Sequence, residues 1–175
     1  MAKLNATPLS CRGACPSIHK KEIVIVLDNI RSVHNVGAIF RTADAAGVSK
    51  IFLTGYTPAP IDRFGRFRSD FAKAALGAEK NVLWESISQI AECLTYLKTQ
   101  GYFIIALEQD SRAIDYKKIT TTYPLAFVVG NETKGIKKET LELCDVIAEI
   151  PMKGKKESLN VAVTTGIALF RILNI

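Results

Sequence analysis

No apolar run in this 175-residue chain reaches the roughly eighteen residues that cross a bilayer, which excludes a membrane-spanning helix. The opening stretch MAKLNATPLSCRGACPSIHKK has no apolar h-region, so no secretory signal is read and the cytoplasm is the expected compartment. Cysteine is sparse: four residues, with no CxxC pair. Cys11, Cys15 and His19 stand at three-residue gaps, but a zinc site needs a fourth ligand, so no metal site is predicted. Cys93 and Cys144 fall in apolar contexts and read as buried thiols. Two phosphate-binding fingerprints are also missing. The first apolar strand gives way to DNIRSVHN with no glycine until Gly37, which excludes both GxGxxG and GxxxxGK[ST]. Internal repeats and low-complexity segments are absent.

What remains has the balance of a soluble globular protein, 48% apolar and 23% charged, and is long enough for one domain with a real core. A net charge of +6 favours a polyanionic partner such as nucleic acid. Residues 1–20 lack periodicity and read as a basic arm; residues 21–175 read as a single domain. EIVIVLDNI, KIFLTG, YFIIALE, YPLAFVVG and DVIAEIP are apolar, β-rich runs of the kind buried in parallel sheets. A helix over His34–Ala46, closed by Gly47, lies between the first two and makes a βαβ unit. SISQIAECLTYLKTQG predicts an amphipathic helix carrying Ile87, Ile90, Leu94 and Leu97; FAKAALGAEK and KKETLELC predict short helical pieces. The fold class is therefore α/β, with a mostly parallel sheet and helices on both faces. Between Leu159 and Leu173 the last helix carries one charge, Arg171. A helix apolar all round is buried all round, which predicts a homodimer through this C-terminal helix.

The helix HNVGAIFRTADAAG sets Arg41 among small residues. At about 100° per residue, Val36, Ile39, Phe40, Ala43 and Gly47 form the core stripe, while Gly37, Ala38 and Ala45 lie on the outer side near Arg41. One reading is a solvated arginine paired with Asp44. The other starts from the roughly 1 kcal/mol that Gly costs against Ala in a helix and makes the small residues a seat for a bidentate phosphate or carboxylate. Ligands in open α/β sheets bind beyond the carboxyl ends of strands, and two such ends carry chemistry. FVVGNETKGI places Gly130, Glu132 and Gly135 after a buried strand, with Gly130 allowing close backbone approach to a ligand. EIPMKGKKESLN offers Lys153, Lys155 and Lys156, Ser158 as a cap for the last helix and Asn160 in its first turn.

Three segments in this order, LDNIRSVHNVGAIFRTADAAGVSKIFL, LAFVVGNETKGI and IPMKGKKESLNVAVTTGIALF, resemble the SpoU (TrmH-type) RNA 2′-O-ribose methyltransferases of the SPOUT class. The resemblance implies a C-terminal trefoil knot, bound S-adenosylmethionine, a homodimer, and methyl transfer to a ribose 2′-hydroxyl in tRNA or rRNA. It assigns functional roles to Asn35, Arg41, Glu132, Ser158 and Asn160, and cofactor contacts to Leu107, Gly130, Ile150, Met152 and Leu159. Family proposals make the arginine a base. Because arginine stays protonated in proteins, Arg41 reads better as a clamp on a phosphate and the 2′-oxygen, with Glu132 and Asn160 holding Arg41 or the ribose. IDRFGRFRSDFAK interleaves Arg63, Arg66, Arg68 and Lys73 with Phe64, Phe67 and Phe71, a pattern for phosphates and stacked bases, so this loop is expected to contact RNA. Many family members carry an extra N-terminal RNA-binding domain. The arm here is too short for one, so RNA selection is expected to use the domain's own surface or a partner. Ala162, Thr164 and Thr165 depart from the family's serine and alanines and read as packing changes. The alternatives are a non-catalytic RNA-binding protein of the same fold and a flavodoxin-like nucleotide binder.

Overall fold

The computed structural model describes residues 21–175; the predicted arm, with Cys11, Cys15 and His19, lies outside them. Seven strands form one sheet: β1 (Ile23–Asp28), β2 (Lys50–Thr54), β3 (Leu83–Ile87), β4 (Phe103–Leu107), β5 (Ile114–Asp115), β6 (Leu125–Val129) and β7 (Val146–Glu149). The order is β3-β2-β1-β6-β4-β7-β5, and every pairing between them is parallel. β1 and β6 lie side by side at the centre and are fully buried. Alternation along β1 sends Ile23, Ile25 and Leu27 to one face and Val24 and Val26 to the other, so one apolar run supplies two cores.

Helices cover both faces. α1 (Val33–Ala45), α2 (Ser69–Ala75) and α6 (Val161–Leu173) pack over the larger core, with α3 (Ala78–Asn81) beside α1. α4 (Ile90–Thr99) and α5 (Lys138–Leu141) cover the smaller one. Val36, Ile39, Phe40 and Ala43 are the buried stripe of α1, as the angular reading expects, whereas Gly47 is exposed and turns the chain at φ +73°. No described helix is long and apolar enough to cross a membrane.

Several sequence expectations are corrected. SISQIAECLTYLKTQG is not one helix: Ile87 ends strand β3, paired in register with Thr54, and the helix begins at Ile90. β3 escaped detection because it is an edge strand with Leu83 exposed, so its apolar pattern is broken. Gly37 is buried rather than outward. A Cβ there would come within 2.6 Å of the Ala74 Cβ and 3.1 Å of the Ala75 nitrogen, so the glycine serves close packing of α1 on α2 and not a ligand seat. Phe71 joins the core edge-to-face with Phe40, ring centroids 5.2 Å apart, and is not available to RNA. α6 is buried on one side only: Val161, Thr165, Ala168, Leu169, Ile172 and Leu173 face the core, while Val163, Ile167 and Phe170 are exposed within this chain. Cys93 is buried and Cys144 half-buried, and desolvation pushes both thiols up to about 12, which leaves them unreactive.

Candidate active site

The loops at the carboxyl ends of β1, β4, β6 and β7 converge on one cleft of about 360 Å³. The β1 loop runs into α1, where Ser32 caps the helix by accepting from the Asn35 amide at 3.3 Å. Glu132, from the loop after β6, sits against this helix start. Its Oε2 accepts from the Arg31 amide at 3.0 Å, and its Oε1 accepts from the Ser32 amide and from Asn35 Nδ2, each at 3.0 Å. A carboxylate at a helix N-terminus is stabilised by free N–H groups and by the dipole. Partial burial pushes the Glu132 pKa up, but the donated hydrogen bonds from Arg31, Ser32 and Asn35 outweigh it and hold the group below the ordinary glutamate value. Glu132 is therefore a fixed anion that orients Asn35, and a poor proton acceptor.

Asn35 passes the connection on. Its Oδ1 accepts from Asn160 Nδ2 at 3.1 Å, and Asn160 Oδ1 accepts from the Ala162 amide at 2.9 Å. Asn160, not Ser158, is the N-cap of α6; Ser158 lies two residues earlier in the exposed approach. Three distant segments thus meet in one polar chain, Glu132–Asn35–Asn160, along the cleft wall. Each of the two asparagine amides uses one N–H inside the chain, which leaves the other free to donate to a ligand oxygen.

Nine of the ten residues expected for catalysis and cofactor binding line the cleft: Asn35, Leu107, Gly130, Glu132, Ile150, Met152, Ser158, Leu159 and Asn160. Arg41 is the exception. It projects into a separate shallow depression with Ala38, Thr42, Ala45, Ala74 and Phe170. Neither Glu132 nor Asn160 holds it, and Asp44 does not pair with it either; Asp44 accepts from Asn81 Nδ2 at 3.2 Å. The reason is helical geometry. Arg41 follows Asn35 by six residues, which moves it about 9 Å along α1 and about 240° around it. Gly130 lines the cleft and also has a structural use: a Cβ there would strike the Gly135 backbone within 2.8 Å, so the glycine lets the β6 loop fold back on itself.

Sequence reasoning named Asn131 only as part of the polar loop after the strand, and missed Glu108 and Gln109. Asn131 is buried and acts as the hub of the β6 loop: its Oδ1 accepts from the Thr133 and Lys134 amides, and its Nδ2 donates to the Asn29 carbonyl and the Tyr56 hydroxyl. Glu108 accepts from the Ile136 amide at 2.7 Å, tying the β4 and β6 loops together. Gln109 donates to the Glu157 carbonyl at 2.6 Å, holding the approach to α6. All three lie at strand ends, so the carboxyl-end rule that singled out Glu132 would also have reached Glu108.

The arginine-rich loop stands apart from the cleft lining. Phe64 and Phe67 are exposed, Phe67 to 76%, and Arg63 and Arg66 sit over the Phe64 ring at 4.8 and 5.1 Å. Arg66 pairs with Asp62 at 2.8 Å and Arg68 with Asp70 at 2.9 Å; Lys73 is exposed on α2.

An open parallel sheet with a cleft at its carboxyl edge, where strand order runs outward from β1 and β6, defines an α/β domain of the kind that binds ligands at its strand ends. The chain belongs to the SpoU rRNA methylase family, whose profile matches residues 22–170. It is 37% identical over 152 residues to the 23S rRNA (guanosine-2′-O-)-methyltransferase RlmB of Ralstonia nicotianae, covering 85% of this chain and 57% of that protein. The RlmB of Nitrosomonas europaea is 38% identical over 149 residues, with 85% and 54% covered. The chain therefore spans a little over half the length of these curated relatives. Among solved structures it is similar to an AdoMet-bound rRNA methyltransferase from Sinorhizobium meliloti, with a TM-score of 0.80 and 31% identity over 90% of this chain and 58% of the other. It is also similar to the TrmH/SpoU tRNA modifying enzyme of A. aeolicus, with a TM-score of 0.77 and 29% identity over 89% and 76%.

Proposed function

We propose that this chain is an S-adenosylmethionine-dependent methyltransferase acting on a ribose 2′-hydroxyl in structured RNA, tRNA or rRNA. The observation that carries the reading is the Glu132–Asn35–Asn160 chain on the wall of a cleft at the strand ends. The residues present fit the cofactor. The cleft volume falls in the range of about 300–1,000 Å³ usual for such ligands, and Leu107, Ile150, Met152 and Leu159 offer apolar surface among polar backbone. Bound there, S-adenosylmethionine supplies the methyl group.

This chain's own residues would hold and orient the reacting ribose. The free N–H groups of Asn35 and Asn160 hold a ribose oxygen, and Glu132 keeps Asn35 in the orientation that does so. Arg41 acts as a phosphate clamp from outside the cleft. We further infer a homodimer through α6, because Val163, Ile167 and Phe170 expose apolar surface along it. Phe170 shares its depression with Arg41, so a partner seated on α6 comes up against Arg41. The trefoil knot that the family resemblance implies is supported by the chain path: β7 lies outside β4, yet α6 returns to α1 and contacts the 3₁₀ turn Tyr116–Lys118. The exposed Arg63, Arg66, Phe64 and Phe67, with Arg68 and Lys73, serve as an RNA contact.

Methyl transfer from labelled S-adenosylmethionine to ribosomal and transfer RNA tests the reading. Transfer by the wild type and its loss in Asn35→Ala and Asn160→Ala are expected. Cofactor and RNA binding without transfer to any RNA would make the protein a non-catalytic binder.

A further inference from the structure

Tyr56 has no part in the chemistry above, yet the fold fixes it beside the cleft while leaving it 58% exposed. A lone exposed aromatic is ordinary; this one is held at both ends. Its hydroxyl oxygen accepts from Nδ2 of Asn131, a buried residue of the cleft wall, at 2.9 Å. Its amide donates to Asn29 Oδ1 at 3.4 Å. The neighbours on either side are constrained. Gly55 turns at φ +64°, where a side chain would collide with Asn29, and Thr57 is buried with its Oγ accepting from the Ile30 amide at 3.1 Å and donating toward the Leu27 and Thr54 carbonyls. The ring is thus preorganised, and a ligand that packs on it costs little further ordering.

The same neighbourhood carries a free cation. Arg31 gives its amide to Glu132, the residue next to Asn131, while its side chain is exposed and pairs with no carboxylate among the described residues. With its hydroxyl engaged, Tyr56 offers chiefly a π-face, and a π-face held to Asn29, two residues before an exposed cation, suits a nucleobase and its phosphate. We propose that Tyr56 is the stacking seat for an unpaired base of the RNA next to the reacting ribose, with Arg31 taking its phosphate. This inference rests on the RNA-methyltransferase reading.

The test is binding of a fluorescent single-stranded RNA decamer, and of the same sequence as a duplex, to the full chain. Tyr56→Ala and Tyr56→Leu are expected to weaken single-strand binding about tenfold, within the range for loss of one base–aromatic stack. Tyr56→Phe, which keeps the ring, should stay within about twofold, and duplex binding should not respond to any of the three. Arg31→Ala should lower the log–log salt slope of single-strand binding by about 0.7. Wild-type affinity in Tyr56→Ala, equal affinity in the Leu and Phe variants, or equal loss on the duplex would overturn the seat; an unchanged salt slope would overturn the part given to Arg31. The two readings fail separately. Ring-dependent single-strand binding by a protein that methylates no RNA would keep the seat and remove the catalytic reading. Methylation with unimpaired binding in Tyr56→Ala would do the reverse.

Discussion

Replacing Glu132 by glutamine removes a charge and almost no volume, so it isolates what the carboxylate contributes. Both oxygens are in use, Oε1 with Ser32 and Asn35, and Oε2 with Arg31. Glutamine keeps one acceptor and turns the other into an NH₂ that faces a donor. At least one charge-assisted hydrogen bond is lost, worth about 1.5–3 kcal/mol, and the favourable charge at the start of α1 goes with it, about 0.3–1 kcal/mol. Because the site is partly solvated, water replaces some of this, and a net loss of about 2 kcal/mol is expected. For a domain of this size that lowers Tm by roughly 4–8 °C, readable by thermal denaturation at pH 7. The pH dependence separates charge from shape. The folded pKa of Glu132 lies below its unfolded value near 4.5. Its stabilisation is thus complete above that value and lost as pH falls through the folded pKa. The gap between wild type and Glu132→Gln should therefore close in acid. Equal stability at pH 7, or a gap that persists unchanged to about pH 3, would refute the anchoring role.

Four further outcomes follow from the geometry. Gly37→Val should destabilise by about 2–3 kcal/mol through overpacking against Ala74, and Ala74→Gly in the same chain should recover part of it in a denaturant melt. Phe71→Ala should lose about 3–5 kcal/mol of stability as a core deletion, whereas Phe64→Ala and Phe67→Ala should change stability by no more than about 0.5 kcal/mol and weaken RNA binding in a filter assay. Ile167→Asp, on the exposed face of α6, should halve the solution mass measured by light scattering; an unchanged mass counts against the α6 dimer. Arg41→Lys should lose most methyl transfer if a bidentate clamp is required, and substantial retained activity would count against it.

Much of this protein is legible locally. The apolar runs at Ile23–Asp28, Phe103–Leu107 and Leu125–Val129 became central strands because a segment buried on both faces needs no polar alternation. The polar clusters that follow strands pointed to the cleft, because loops at carboxyl ends are where an open sheet can bind. Motif resemblance then named the residues, and nine of them line one cleft. Edge strand β3 was not legible, since one exposed side and a leucine at its surface leave no clear period.

Tertiary structure alone decided the rest. A helical wheel can show that Gly37 lies off the core stripe, but only the close approach of α2 shows that its missing side chain is a packing requirement. Composition can place Arg41 among small residues, but helical rise carries it away from Asn35 and into a depression beside Phe170. Asn160 touches Asn35 across 125 positions, and Glu132 reaches the Arg31 amide across 101. Such contacts depend on strand order, with β6 beside β1 and the chain returning from β7 to α1. Local patterning sets which segments become strands and helices, because it acts over a few residues. The site is made by the order in which those strands pair, and long-range packing settles that order.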